Sequence, residues 1–314
     1  MSPSDAISDP IVPVEAAAGR SRTQPLYWSV RRELWENRSI YIAPAAVAAV
    51  VLLGVLVGSI NLHRAAHLVS TLDASKRAIA FGVPFEGAAA IIMIASFIVA
   101  FFYCLGALQG ERRDRSILFW KSLPVSDLTT VMAKAALPLI VLPVVTFLVI
   151  VVTQLIILAA SLAIMPTIGL PATTLWTQFP VLTTWMELAY LLVCLALWHA
   201  PIWGWLMLVS GWARRVTFLW AVGPPLAITV FEQLAFGTSH VDALIRYRLT
   251  GGLTEAFSMK ETVLGQTGAG SVSFDSAQMN PIGFLTSAGL WTGLVAAAAL
   301  FAAVVWQRRY RTPI

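Results

Sequence analysis

Apolar residues fall in six long runs, at about residues 40–60, 88–108, 135–158, 185–209, 216–236 and 285–306. Each matches the roughly 20 helical residues that cross about 30 Å of hydrocarbon. From Ala135 to Met186 the chain carries no Asp, Glu, Lys, Arg or His, a stretch too long for one crossing, so it holds more than one segment. Between the second and third runs the pattern changes to a charged insert, residues 109–127, that cannot sit in hydrocarbon. Wound as a helix, it places Ile117, Phe119, Trp120 and Leu123 on one face, with Asp114, Arg115, Lys121 and Ser122 opposite. Leu118 falls in the middle of the polar face, where an apolar side chain ringed by charge can anchor in a partner's pocket. A helix lying flat on the membrane surface explains the same pattern, and the residues alone leave both readings open.

Before the first run, Leu26, Tyr27, Val30 and Leu34 form an apolar stripe with Trp28 and Trp35 at its flanks and Ser29, Arg32, Glu33 and Glu36 opposite, which predicts an N-terminal interfacial helix. Between the fifth and sixth runs lies the largest loop, residues 237–284, in which Asp242 is placed to cap a short helix reaching Leu249 before a glycine-rich stretch. That stretch, Gly265 to Gly270, follows no strand and is not a phosphate loop. The link between the third and fourth runs, with Pro166, Pro171, Trp176, Phe179 and Pro180, is uncharged and expected to hug the interface. Pro44, Pro138, Pro143, Pro201 and the Pro224-Pro225 pair lie inside runs and predict kinks whose freed carbonyls neighbouring helices must satisfy. No internal repeat is evident.

Composition agrees with this pattern: 58% hydrophobic, 12% charged, mean hydropathy +0.77. The predicted fold is all-α, a polytopic membrane protein with six transmembrane helices. Residues 1–24, rich in Ser, Pro and Ala, are expected to be a disordered tail before a single membrane domain, 25–314. Asp5, Asp9 and Glu15 with no early apolar core argue against a conventional signal peptide. The net charge of +5 reflects topology rather than nucleic-acid binding. Six crossings put both termini on one side, and calling that side cytoplasmic places fifteen of the twenty-one Lys and Arg residues inside.

Chemistry is sparse. None of the four lysines follows a glycine, so a Walker A phosphate loop is absent; G-x-S-x-G and H-E-x-x-H are absent as well. Cys104 and Cys194 both fall in runs and are expected to be buried thiols. His63 and His67 stand at metal-ligand spacing without a convincing third ligand, and no metal site is predicted; solvated histidines are the plainer reading. His199, before Ala200-Pro201, can bond a carbonyl freed by the proline or line a polar path. Gln154 and Gln233 read as helix-packing groups. Glu187 and Glu232 each sit about one turn from the outer surface, as a possible outer-leaflet gate or as independent interfacial carboxylates.

An interfacial N-terminal helix, six spans and a charged helix after the second span together resemble the membrane subunit of bacterial type-2 ABC exporters, over about residues 26–310. The most specific part is Glu111-Arg112-Arg113-Asp114-Arg115-Ser116-Ile117-Leu118-Phe119-Trp120-Lys121-Ser122-Leu123-Pro124-Val125-Ser126-Asp127, which is similar to the E-R-x-D-x-S-I-L-F-W-x-S-L-P-V-S run of such permeases. The resemblance implies a coupling helix from Glu111 to Leu123 held by a separate ATPase, with Glu111, Arg112, Arg113, Asp114, Arg115, Leu118 and Lys121 toward that partner and Ile117, Phe119, Trp120 and Leu123 against the permease. It also implies a second permease chain, ATP and Mg on the partner ATPase with no cofactor on this chain, and residence in the bacterial inner membrane. A secondary transporter or a membrane scaffold without an ATPase is the alternative. A membrane enzyme is disfavoured because no nucleophile and base pair can be read from the spans.

Overall fold

The computed structural model describes residues 24–70, 74–110, 126–164, 180–213, 215–258 and 278–310. The described residues are almost wholly helical, the exception being a two-residue antiparallel pairing of Phe257 with Met279 and Ser258 with Gln278. In chain order the helices are α1 (Gln24–Glu36), α2 (Ser39–Ser70), α3 (Ala74–Gly106), α4 (Asp127–Ala136), α5 (Leu142–Ile164), α6 (Val181–Trp198), α7 (Ala200–Trp212), α8 (Thr217–Phe236), α9 (His240–Ala256), α10 (Pro281–Thr286) and α11 (Ala288–Tyr310), with a π-helical turn, Leu137–Val141, joining α4 to α5. Among the described residues six stretches are long and apolar enough to cross a membrane: Ser39–Gly58, Gly82–Gly106, Asp127–Ala163, Val181–Trp198, Thr217–Phe236 and Ala288–Tyr310. This is the architecture of a multi-pass membrane protein. The predicted tail, the charged insert from Glu111 to Val125, most of the link between the third and fourth spans, and the glycine-rich stretch lie outside the described residues.

Proline decides where the spans bend. In the third span, Pro138 has no N–H to give the Lys134 carbonyl; the Leu137 N–H bonds that carbonyl instead, and Leu142 N–H reaches five residues back to Leu137. The fourth run, expected to be continuous over 185–209, is two helices broken at His199. Pro201 cannot satisfy the Leu197 carbonyl, and the His199 N–H takes it together with that of Leu195. α8 runs unbroken through Pro224 and Pro225; the Ala221 carbonyl that Pro225 leaves free accepts the Trp205 indole N–H at 3.0 Å.

In hydrocarbon, burying apolar surface gains little, so close packing and polar contacts hold the spans together. α7 packs against α11 with glycine at the contact: a Cβ on Gly204 would stand 3.0 Å from Leu300 Cβ, and one on Gly211 would collide with the Gln307 amide. The largest core joins α3, α4, α7 and α11 through Tyr103, Leu108, Val131, Trp203, Met207 and Val304. Farther along, Gln154 bridges three spans, donating to the Phe85 carbonyl at 3.2 Å and accepting the Trp185 indole N–H at 2.8 Å. Ser96 and Thr146 pair at 2.8 Å. The packing role read for Gln154 is thus met, whereas Gln233 is exposed. Val50, Leu53, Ile94, Leu148 and Phe231 face outward, as lipid-facing residues do.

The segment after the fifth span differs from expectation. Its helix continues past Leu249 to Ala256, and Asp242 does not cap it; Asp242 pairs with Arg246 one turn on. The cap comes from Glu232, whose carboxylate accepts the His240 and Val241 N–H groups, each at 2.8 Å, and the Thr238 hydroxyl. α9 packs among the spans, beside the break in the fourth: His199 Nε2 lies 3.2 Å from the Leu249 carbonyl, and Gly251 and Gly252 lie against fully buried Trp198. Arg248 stacks 4.9 Å from the Trp198 ring and donates to the Gly289 carbonyl at 3.1 Å, over the small Gly289 and Gly293 of α11.

Candidate functional site

The charged insert leaves the second span at Gln109 and re-enters at Ser126, and both roots are built from polar contacts to distant parts of the chain. At the exit, the Leu108 and Gln109 N–H groups both donate to the Ser210 hydroxyl, at 3.0 and 3.1 Å. Ser210 is fully buried in α7, so its oxygen is a fixed acceptor for amides that begin the next helical turn. The Gln109 side-chain oxygen accepts the hydroxyl of Thr217, the first residue of α8. One root thereby ties α3 to both the fourth and the fifth span.

At the re-entry, Ser126 caps α4, accepting the Thr129 N–H at 3.1 Å, as the sequence allowed. Asp127 follows in the first turn and receives Arg308 Nε of α11 at 2.9 Å. Arg308 is buried, so this pair joins the third span to the sixth with little water around the guanidinium.

Behind that root lies a buried ionic knot. Lys134 Nζ stands 2.7 Å from Glu33 Oε1, the two residues only 3% and 1% exposed. Tyr103 of α3 donates to Glu33 Oε2 at 3.2 Å, and Arg32 Nη2 reaches Oε1 at 3.0 Å. The pattern reading put Glu33 on the solvent face of α1, and the structure corrects this. Val30 and Leu34 pack on the core as expected while Tyr27, Trp28 and Trp35 are exposed, and α1 is turned enough to bury Glu33 against α4. A lysine at the edge of a long charge-free stretch needs such a partner. Arg31 rests on the two outer tryptophans, 5.2 Å from Trp28 and 4.8 Å from Trp35.

The arrangement is a junction in which α1, α3, α4, α7, α8 and α11 meet around the two ends of a short insert, so a displacement of the insert bears on every one of them. The residues assigned to partner contact, Glu111, Arg112, Arg113, Asp114, Arg115, Leu118 and Lys121, and those assigned to packing, Ile117, Phe119, Trp120 and Leu123, lie outside the described residues; their roots do not.

Of the carboxylates read as a possible gate, Glu232 is engaged as the cap of α9. Glu187 is half-buried in α6 and has no hydrogen bond or ion pair among the described residues, and the two share no partner. Cys104 and Cys194 are free and buried. His63 and His67 lie four residues apart on α2. His199 bonds a carbonyl of α9 rather than one freed by Pro201. Sequence reasoning missed Ser210, Thr217, Glu33 and Arg308; the only advance signal was that Lys134, at a span's edge, required an anion. No protein-family model, curated protein or solved structure matches the chain.

Proposed function

We propose that this chain is the permease subunit of an ABC exporter of the type-2 class, in which the insert from Glu111 to Leu123 is the coupling helix for a separate ATPase. One observation carries the reading: both roots of the insert are fastened by buried polar contacts, Ser210 holding Leu108 and Gln109 and Arg308 holding Asp127. A surface helix that merely floats on lipid has no need of rigid roots, whereas a helix that passes on motion from ATP closure does. The charged sequence of the insert supports the same assignment. ATP and Mg would then reside on the partner, and this chain, having no phosphate loop, would not hydrolyse ATP alone. Two copies would enclose the path, in the inner membrane of a bacterium. Cargo leaves no imprint on these residues.

The test is co-purification of an ATPase with this chain from its native membrane. Leu118→Asp puts a charge where the partner's pocket must desolvate it, so the permease should accumulate normally in the membrane while the ATPase is lost from the complex. Pull-down unchanged by Leu118→Asp would refute the contact. A secondary transporter or scaffold would show no ATPase in the complex at all.

A further inference from the structure

A groove of about 420 Å³ opens between α7, α8 and α11, walled by Trp205, Trp212, Trp220, Trp306 and Pro224. Its size is that of a ligand site. One strongly polar side chain lines it, Gln307, only 7% exposed, with its amide oxygen turned to Gly211 of α7. No carboxylate lines the groove. Two cations neighbour the lining tryptophans in the chain, toward the end where α7 turns into α8. Arg215 sits in the turn between Trp212 and Trp220, and Arg309 lies one helical turn beyond Trp306; both are exposed, and neither makes an ion pair among the described residues.

The start of α8 lies at that end. Its N-cap is Val216, held at φ 49°, a conformation costly for a β-branched residue, and Val216 offers no side-chain acceptor to the first amides of the helix. The Leu219 and Trp220 N–H groups bond the Val216 carbonyl, and the Thr217 and Phe218 amides that remain, beside an arginine, favour an anion.

We infer that this groove is a binding site for an acidic phospholipid of the leaflet on that side, its acyl chain between the tryptophans and its phosphate at Arg215, Arg309 and the start of α8. Tryptophan walls at headgroup level suit a chain that is apolar at one end and wet at the other, and paired cations select acidic over zwitterionic lipid. A lipophilic cation fits the aromatic walls but meets the same two arginines as repulsion. The occupant links the fourth, fifth and sixth spans, so it would also stiffen the otherwise loosely packed α8. The inference does not rest on the transporter reading.

Phosphatidylglycerol brominated on its second acyl chain quenches nearby indoles on contact, and serves as probe with the purified full chain in nanodiscs otherwise of phosphatidylcholine. Wild-type protein should show a saturable quenching phase at low mole fraction of this probe, requiring on the order of tenfold more of the phosphatidylcholine equivalent. Arg215→Gln with Arg309→Gln, both surface changes, should erase that preference and leave the protein folded. Ala303→Phe, which fills the groove wall, should abolish the saturable phase for either lipid. Equal quenching by both lipids in wild type, or a preference that survives the double arginine change, overturns the proposal. A saturable phase unaltered by Ala303→Phe places the lipid elsewhere and overturns it too.

Discussion

Glu33 and Lys134 show how a single side chain constrains the molecule from a distance of about a hundred positions. Each is buried, so each needs the other: removing one partner of a buried pair leaves an uncompensated charge, at a cost of roughly 3–5 kcal/mol, whereas removing both to apolar residues of like size costs far less. Glu33→Leu should therefore lower the thermal unfolding midpoint of the purified protein sharply, and Glu33→Leu with Lys134→Met should restore most of it. Additive losses in the double variant would mean that the pair is not coupled. Ser210→Ala is a smaller change of the same kind, stranding two backbone amides at the insert's root and costing about 1–2 kcal/mol. If the insert passes motion to the spans, this variant should keep its ATPase bound yet lose ligand-stimulated turnover out of proportion to its stability. Unaltered stimulation would count against the root as a transmitting element. Lys134 was legible as a residue in need of an anion. Its partner was not, because a helical wheel for α1 reports which residues share a face but not which face turns inward, and Glu33 and Glu36 of α1's polar face were equally eligible.

Among the elements, the spans were readable because their requirement is local: about twenty apolar residues in a row satisfy it without reference to anything else. Their breaks were half-readable. Pro201 and Pro138 marked the places, but whether a proline breaks a helix, adds a π turn or leaves it straight depends on what takes the freed carbonyl, and the Trp205 indole that keeps α8 straight comes from another helix. Trp205→Phe should thus loosen α8 where Pro225 freed the Ala221 carbonyl, increasing protease or hydrogen-exchange access near Pro225, with no change near α2. α9 was the least legible element. Its polar and apolar residues follow no clean period because its partners are themselves mixed: Trp198 meets Gly251 and Gly252 while Arg248 lies along α11. A Cβ on Gly252 would stand 2.9 Å from the Trp198 ring. Gly252→Val should displace that indole and destabilise the protein by about 1–3 kcal/mol, as overpacking does. The same change at Gly58, which meets nothing within 4 Å, should be nearly silent.

For the whole molecule, the six spans and the charge pattern together predict an orientation. Arg308, Asp127, Lys134, Glu33 and Ser210 all gather at one end, the end from which the insert leaves. α9, with its cap from Glu232, lies toward the other end of the spans, since α8 runs from Thr217 beside Gln109 to Phe236. The end bearing the insert is the one richer in Lys and Arg, so the positive-inside rule predicts that it faces the cytoplasm. Single cysteines in a background lacking Cys104 and Cys194 test this directly with an impermeant maleimide on intact cells. Ser239, exposed between α8 and α9, and Ser276 should label, while Asp5 and Thr312 should label only after the membrane is opened. The free thiols are buried, so their removal should alter the background signal little. Labelling at Thr312 but not at Ser239 in intact cells would invert the molecule, put the insert outside the cell and remove any ATPase from its reach.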